Sequence, residues 1–265
     1  MFDKVIVSSD EHFKNFFPIV SLAWKKFFPD KKIAAAFVTD RKEDDPIVNR
    51  IRSLYDEIKL FPALEGFPTK NVAKMARFLY ASEAGSEVCM IEDVDTIPLQ
   101  KEFFIKKTSQ RDKGRLLAVG KEVYENLPHY KNFPVSTMTG EGHLFKKFFN
   151  PYDYNYEQLF EYWSNFHDEK NVNITSEVFS DEGLIAQLTE AHQFSSVKHI
   201  ERGADPSIDW IDRSNWKYDK KRLNNHEYII CNFMRPFESY YPAFKDVVEF
   251  IKGEDDLILE DLMLE

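Results

Sequence analysis

Short apolar runs alternate with longer segments of helical periodicity along most of this chain, and this alternation restricts the folds that it can adopt. Strands are predicted at residues 4–8, 33–38, 58–61, 87–91, 116–119 and 228–234. Helices are predicted to follow Pro18 and to span residues 46–54, 71–84, 156–166, 181–189 and 242–252. Strand–helix alternation is typical of a mostly parallel sheet with helices on both faces. We therefore predict an α/β single domain with a mostly parallel central sheet flanked by helices.

The length and composition of the chain are those of one globular domain. Its 265 residues are 43% hydrophobic, enough for a substantial core, and no linker rich in Pro, Gly and Ser divides them. We predict one domain over residues 1–253 and an acidic, leucine-bearing tail over residues 254–265, which could pack on the domain or on a partner chain. Residues 128–155 are rich in Pro, Gly, Asn and aromatic residues, and we predict a long functional loop region there.

The charge and the cysteines argue against several classes of protein. A formal net charge of −10 argues against a general surface for nucleic acid or for anionic membranes. Cys89 and Cys231 lie in apolar runs, which predicts buried free thiols in a reducing compartment. The N-terminus enters a predicted strand without a signal-peptide pattern, and no apolar run is long enough to cross a bilayer. We therefore expect a soluble, cytoplasmic protein that binds no nucleic acid and has no transmembrane segment.

Two aspartates one residue apart follow the apolar strand at residues 87–91. Asp93 and Asp95 precede Pro98, and residues i and i+2 of an extended backbone point to the same side. Carboxylate oxygens suit Mg²⁺ or Mn²⁺, and a site with two carboxylates keeps coordination positions for substrate phosphates. The alternative interpretation is a solvated acidic turn. The strand context favours metal-assisted chemistry on a phosphorylated substrate.

Other polar residues follow other predicted strands. Ser8, Ser9 and Asp10 follow the first strand, and Asp40 follows the second. Ligands of open α/β sheets bind beyond the carboxyl ends of the strands. We therefore expect these residues on the same rim of the sheet as the aspartate pair.

Five segments together resemble the GT-A-fold glycosyltransferases that carry an Asp-x-Asp motif. The sequence IEDVDTIPL at residues 91–99 resembles the Asp-x-Asp segment itself. The others are KMARFLY at 74–80, TGEGHLF at 139–145, SDEGL at 180–184 and NFMRPF at 232–237. Their order matches that family's nucleotide-binding helix, sugar-pocket turn, acidic helix start and closing motif. The resemblance covers about residues 1–240 and implies a GT-A (Rossmann-like) domain.

The resemblance implies a divalent-cation site within a donor site. Asp93 and Asp95 would hold Mn²⁺ or Mg²⁺, and Asn232 stands where the family often has a histidine ligand. His226 is the alternative third ligand, from a neighbouring position. The residues implied in donor binding are Ser8, Ser9, Asp10, Asp40, Lys74, Arg77, Asp93, Gly140 and Arg235.

The implied catalytic residues are the acidic pair that starts a predicted helix. Asp181 or Glu182 would act as the general base for the acceptor, or would stabilise positive charge on the sugar ring. The plainer interpretation is helix capping, with Ser180 or Asp181 as the N-cap. Likewise, Lys74 and Arg77 could belong to a solvated helix face rather than to the donor site.

The implied reaction moves a monosaccharide, hexosyl or pentosyl, from a UDP- or GDP-linked donor to a hydroxyl of a glycan or glycolipid, as in polysaccharide biosynthesis. Tyr152 and Tyr154 lie in the predicted loop region, where they could stack against an acceptor sugar. Two alternatives stay open. One is a metal-dependent phosphatase or nucleotidyltransferase that uses the same carboxylates, and the other is a nucleotide-sugar-binding protein without turnover.

Overall fold

Ten strands and ten α-helices occur in the part of the chain that the structure describes. The structure, a computed structural model, describes residues 1–123, 134–166, 173–177, 179–192, 196–253 and 262–264. Its strands are β1 (Lys4–Asp10), β2 (Lys32–Val38), β3 (Glu57–Phe61), β4 (Val88–Asp93), β5 (Thr96–Pro98), β6 (Leu116–Val119), β7 (Met138–Glu141), β8 (Val197–Ile200), β9 (Trp210–Ile211) and β10 (Ile230–Asn232). Its helices are α1 (Phe17–Phe27), α2 (Pro46–Leu54), α3 (Thr69–Ser82), α4 (Glu102–Thr108), α5 (Gly142–Phe149), α6 (Tyr156–Ser164), α7 (Asp181–Ala191), α8 (Pro206–Asp209), α9 (Lys220–Asn224) and α10 (Phe237–Lys252).

The central sheet has the order β3-β2-β1-β4-β7-β6-β8. Strands β3, β2, β1 and β4 are parallel neighbours, and β6 is parallel to β8. Only β7 runs in the opposite direction, because it pairs antiparallel with both β4 and β6. The predicted α/β domain with a mostly parallel sheet is confirmed.

The strand order places a ligand crevice beside β1. From β1 the chain continues to β2 and β3 on one side, and it returns to place β4 on the other side. Such a switch point leaves a crevice at the carboxyl ends of the two strands, because the connections that leave them diverge. The register pairs Ser8 of β1 with Asp93 of β4, so both lie at this edge.

A second, three-stranded sheet brings the C-terminal part of the chain to the same edge. Strand β10 pairs antiparallel with β5 and parallel with β9. The Phe233 N–H also donates to the Asp95 carbonyl at 2.8 Å. Residues just after β9 and β10 therefore lie beside the loop that carries the aspartate pair.

Helices cover both faces of the central sheet. Successive strand residues point to opposite faces, so Val5 and Val7 belong to the core beneath α1, α2 and α10, and Ile6 belongs to the core beneath α3, α5, α6 and α7. Large aromatic side chains fill both cores and are fully buried, including Trp24 and Trp163. The predicted flanking of the sheet by helices is confirmed.

The predicted loop region at residues 128–155 is wrong over its described part. Residues 128–133 lie outside the described residues, but β7 and α5 occupy much of the remainder. The glycines that indicated a loop permit close packing instead: a Cβ at Gly140 would lie 2.3 Å from Leu116 Cδ2, and a Cβ at Gly142 would lie 2.7 Å from the Ala81 carbonyl oxygen. Here glycine permits close packing rather than a turn, against the Leu116 side chain at Gly140 and against backbone at Gly142.

Two predicted elements near the C-terminus have other bounds. The late strand is three residues long rather than seven, and α10 begins at Phe237 rather than at Pro242. Pro242 lies inside the helix and removes one backbone hydrogen bond. Phe237 is buried among aromatic rings, including those of Phe16 and Phe244, and this packing extends the helix toward its N-terminus.

The described part of the predicted tail packs on the domain. Leu262 and Leu264 are buried in the same core as Val5, and the Leu264 N–H donates to Asn15 Oδ1 at 2.8 Å. Residues 254–261 and 265 lie outside the described residues. Both cysteines are free and buried, as predicted. Among the described residues, no helix combines the length and the apolar character needed to cross a membrane.

Candidate active site

A cavity of about 480 Å³ opens at the switch point, where β1 and β4 end. Three chain segments from the first half of the protein contribute to it: the end of β1, the helix α3 and the loop between β4 and β5. Later parts of the chain complete it: Val135, the segment with Glu177 and Phe179, the start of α7, and the residues that follow β9 and β10. Its charged lining residues are Asp10, Lys70, Lys74, Arg77, Asp93, Asp95, Glu177, Asp181, Glu182, Arg213 and Arg235.

Arg77 joins two of these segments through a buried guanidinium group. Its Nη1 donates to Asp93 Oδ1, and its Nη2 donates to Asp181 Oδ2 at 2.8 Å. Burial opposes the positive charge, but the carboxylates of Asp93 and Asp181 overcome this and raise the pKa of Arg77 above its ordinary value. Arg77 is therefore a fixed cation that ties the β4–β5 loop to the start of α7, rather than a residue of a solvated helix face.

Asp93 is held in its ionised form. Burial alone would raise the pKa of its carboxyl group, but the guanidinium groups of Arg77, Arg235 and Arg213 lower this pKa below its ordinary value. The side chain is half-buried and lines the cavity. Asp93 therefore presents a carboxylate to the cavity at neutral pH.

Asp95 is fully buried and has one satisfied and one unsatisfied oxygen. Its Oδ2 accepts from Arg213 Nη1 and from Arg235 Nε, the latter at 2.5 Å. Its Oδ1 is buried without a hydrogen-bond partner among the described residues. A buried carboxylate oxygen without a partner is costly. This oxygen is therefore suited to accept a bound cation or a hydrogen-bond donor from a ligand.

The two aspartates can form a hard-cation site in which the substrate supplies some of the metal ligands. Among the described residues, no group of three or more His, Cys, Asp or Glu side chains could hold a metal ion. A magnesium site with one or two carboxylates obtains its other ligands from water and substrate phosphates. The unsatisfied Oδ1 of Asp95, beside the ionised Asp93, fits such a site.

Glu92, the residue of β4 just before Asp93, is an ionisable residue that the motif did not single out. It is fully buried, and Thr137 donates its hydroxyl to Glu92 Oε1. Burial, together with the charge of Asp93, raises the pKa of Glu92 to about 7. Glu92 thus exchanges its proton near neutral pH, one residue away from the cavity.

At the acidic start of α7, one residue caps the helix and another belongs to the cavity. Ser180 Oγ accepts the Gly183 N–H at 3.2 Å, so Ser180 is the residue that caps the helix. Asp181 bonds instead to Arg77, and Lys74 Nζ lies 4.0 Å from its carboxylate. Of the two predicted caps, the structure selects Ser180 and leaves Asp181 for the cavity.

The last residues of β1 line the cavity, and their side chains also fix the local backbone. Ser8 donates to the Ala73 carbonyl at 2.6 Å. Asp10 accepts the Thr69 hydroxyl at 2.8 Å and the His12 N–H at 3.1 Å. These bonds join the end of β1 to α3, which carries Lys74 and Arg77, and so they shape one wall of the cavity.

Most of the predicted site residues meet in this cavity. Those that line it are Ser8, Ser9, Asp10, Lys74, Arg77, Asp93, Asp95, Asp181, Glu182 and Arg235. Those that lie elsewhere are Asp40, Gly140, Asn232 and His226. Asp40 is exposed and accepts the Ala63 N–H at 3.1 Å, and Gly140 lies within β7.

The predicted third metal ligand does not line the cavity. Asn232 Oδ1 accepts the Thr96 hydroxyl at 2.8 Å, and Asn232 Nδ2 donates to Asp212 at 3.2 Å. Asn232 therefore joins the strands of the small sheet. His226 lies against the rings of Phe27 and Phe250. The role of Asn232 as a ligand remains a prediction.

Arg213 is the most important residue that the sequence pattern did not reveal. It lies in a short 3-10 turn that Asp212 caps, and it is isolated in sequence from every recognised segment. Only the pairing of β9 with β10 brings it to Asp95. Phe13, Val135 and Phe179 also line the cavity without any signal of their own in the sequence.

Comparison with known proteins shows the fold. No protein-family model and no curated protein sequence matches this chain. The structure of the galactosyltransferase LgtC in complex with donor and acceptor sugar analogues matches with a TM-score of 0.56 and 12% identity, over 97% of this chain and 98% of that one. An active-site mutant of LgtC matches over the same shares with a TM-score of 0.55 and 11% identity.

A weaker likeness is to the glycosyltransferase GlyE of Streptococcus pneumoniae TIGR4. Its TM-score is 0.46 at 10% identity, over 92% of this chain and 60% of that one, which is too low to support an argument. At 11–12% identity, the likeness to LgtC establishes the architecture and not the chemistry. The chain thus has the fold of the GT-A-type glycosyltransferases.

Proposed function

We propose that this protein is a metal-dependent glycosyltransferase. It would transfer a hexose or pentose from a UDP- or GDP-linked donor to a hydroxyl of a glycan or glycolipid. The observation that carries the proposal is the aspartate pair at the switch point, where an ionised Asp93 and an unsatisfied Asp95 Oδ1 lie among three guanidinium groups. A diphosphate needs this combination of cation ligands and cations.

Asp93 and Asp95 would hold Mn²⁺ or Mg²⁺. When bound, the cation supplies positive charge that neutralises the diphosphate leaving group. The half-buried Asp93 carboxylate offers oxygen toward the cavity, and Asp95 offers its unsatisfied Oδ1 while Oδ2 stays bonded to the arginines. The arginine bonds thereby fix the orientation of Asp95.

Arg213 and Arg235 would bind the diphosphate directly. A guanidinium group carries five N–H donors in a fixed fork, and each of these two arginines gives one N–H to Asp95. Both side chains are partly exposed and line the cavity, so the other donors can reach a ligand. Charge-assisted bonds of this kind suit the phosphate oxygens of a leaving group.

Asp181 would act at the sugar. Its carboxylate is buried at the cavity wall, with Arg77 on one side and the Lys74 ammonium 4.0 Å away. One oxygen of this carboxylate is already bonded to Arg77, so stabilisation of positive charge on the sugar ring is its better-supported role. Glu182, the next residue of α7, also lines the cavity and would serve as the general base for the acceptor hydroxyl.

Titration calorimetry with UDP and GDP, each with and without Mn²⁺, tests the proposal. We expect one nucleotide to bind at least tenfold more tightly with Mn²⁺, and we expect Asp95→Asn to abolish this increase. Asp30→Asn is the matched control, because Asp30 is an exposed aspartate in the turn before β2, at the amino edge of the sheet. Equal affinities with and without Mn²⁺, or no binding of either nucleotide, would contradict the proposal.

A further inference from the structure

Two neighbouring cavities of about 660 Å³ and 760 Å³ lie around the connection between α5 and α6. They share the lining residues His143, Lys146, Asn150 and Asp153. We call the surface that they form the α5–α6 groove. No residue that lines the groove also lines the candidate active site. The groove includes Tyr152 and Tyr154, which the sequence placed at an acceptor site and the structure places apart from the aspartate pair.

The connection that carries these tyrosines has a fixed conformation. Asn150 uses both ends of its amide on Tyr154: Nδ2 donates to the Tyr154 carbonyl, and Oδ1 accepts the Tyr154 N–H, both at 2.8 Å. A capping box between Asn155 and Gln158 then starts α6. The aromatic side chains are thus held in place before any ligand arrives, which lowers the entropy lost on binding.

Tyr152 forms an exposed aromatic platform. Its side chain is 58% exposed, although a large aromatic residue is usually covered. It packs edge-on against Tyr162 at 5.6 Å and His192 at 6.0 Å, and Tyr154 lies tilted at 5.5 Å. These contacts hold the Tyr152 ring in place while more than half of the residue stays exposed to solvent.

The other end of the groove repeats this combination of aromatic and polar groups. Tyr156 packs against Phe61 at 5.7 Å and donates its hydroxyl to the Pro62 carbonyl at 3.0 Å. Lys59 lies over the Phe61 ring at 5.1 Å and is ion-paired with Glu83. Aromatic surface and polar groups therefore alternate along the groove.

The charges of the groove favour an uncharged ligand. Three lysines and two carboxylates line the groove: Lys146 is paired with Asp153 at 2.8 Å, Lys59 is paired with Glu83, and Lys147 is the third lysine. A phosphorylated or acidic ligand would find little excess positive charge here, whereas a polyhydroxyl ligand can accept from the ammonium groups and donate to the carboxylates.

We propose that the α5–α6 groove binds a neutral oligosaccharide. The carbon–hydrogen face of a sugar would cover the Tyr152 ring, and its hydroxyl groups would bond to the Lys146–Asp153 and Lys59–Glu83 pairs. The two adjoining cavities, of about 660 Å³ and 760 Å³, have room for a chain of sugars rather than one. This binding site goes beyond the proposed transfer reaction and does not depend on it.

An array of immobilised neutral and acidic oligosaccharides, probed with the whole protein, tests this inference. We expect binding to at least one neutral oligosaccharide, and we expect Tyr152→Ala to weaken that binding at least tenfold. Tyr240→Ala is the matched control, because Tyr240 is an aromatic residue of α10 that is 41% exposed and lies outside the groove. Both substituted side chains are exposed, so neither change should unfold the protein.

The array separates this inference from the proposed function. Nucleotide binding by calorimetry should be unchanged in Tyr152→Ala, and oligosaccharide binding should be unchanged in Asp95→Asn. Binding of acidic oligosaccharides alone, or of none, would overturn the inference. It would also be overturned if Asp95→Asn abolished the binding and Tyr152→Ala did not, because the sugar would then occupy the candidate active site.

Discussion

Replacing Arg77 with methionine removes the buried guanidinium group that joins Asp93 to Asp181. The change leaves two carboxylates without their common cation, one of them buried and one half-buried. Removal of one partner from a buried ion pair costs about 3–5 kcal/mol. Arg213 and Arg235 still offset the charge of Asp93 after the change, so we expect the lower end, about 3 kcal/mol. For a chain of this size, that lowers Tm by about 6–12 °C.

The stability lost in Arg77→Met should also depend on pH, in a direction set by the pKa of Asp93. Because the folded protein lowers the pKa of Asp93, the stabilisation from its ionised form is present above its ordinary pKa of 3.8 and is lost as the pH falls through the folded value. The difference in stability between the wild type and Arg77→Met should therefore be largest near pH 7. It should narrow as the solution is acidified below pH 4, about the ordinary pKa of Asp.

Urea unfolding followed by circular dichroism measures both quantities. Lys70→Met is the matched control, because Lys70 lies on the same helix and pairs with Glu177 at 2.6 Å on the exposed surface. An exposed ion pair contributes about 0–1 kcal/mol. The reasoning is refuted if Arg77→Met costs no more stability than Lys70→Met, or if its cost does not depend on pH.

Three further predictions concern stability. Glu92→Gln should gain stability relative to the wild type as the pH rises. The raised pKa of Glu92 gives the wild type a stabilisation that is complete below the ordinary value of 4.5 and is lost as the pH rises through about 7. A constant difference in unfolding free energy between the two proteins from pH 5 to 8 would contradict this. Gly142→Ala should lose about 1–3 kcal/mol in the same assay, since its Cβ would lie 2.7 Å from the Ala81 carbonyl oxygen, and an unchanged midpoint would show that α5 can shift. Leu264→Ala should cost about 2–4 kcal/mol, because Leu264 is buried in the core, whereas a loss below about 0.5 kcal/mol would mean that the tail end is not packed in solution.

The alternation of strands and helices could be predicted from the sequence because each element has its own periodicity. The predicted strand at residues 116–119 and helix at 46–54 have the bounds that the structure shows, and β1 is only two residues longer than predicted. The β7–α5 segment could not be predicted in this way. Its glycines allow contact with Leu116 and Ala81, and these contacts exist only after distant parts of the chain have packed.

The residues of the candidate site differ in the same way: local sequence predicts some of them, and others depend on distant contacts. Asp93 and Asp95 were identified because they come at the end of an apolar strand, so local sequence determines their place on the rim. Arg213 depends on strand pairing between β9 and β10, and nothing in its local sequence indicates that pairing. For Asn232, the position in the motif indicated a metal ligand. In the structure, its amide oxygen accepts a hydrogen bond from Thr96 instead.

Release of nucleoside diphosphate from nucleotide sugars tests the central claim most directly. The wild-type protein is incubated with UDP- and GDP-linked sugars, Mn²⁺ and a mixture of glycan acceptors, and free UDP or GDP is quantified by chromatography. We expect release that EDTA stops and that Asp95→Asn reduces at least a hundredfold, whereas Asp30→Asn leaves it unchanged. Release that persists at the same rate in EDTA and in Asp95→Asn, or release of inorganic phosphate instead of nucleoside diphosphate, would contradict the account.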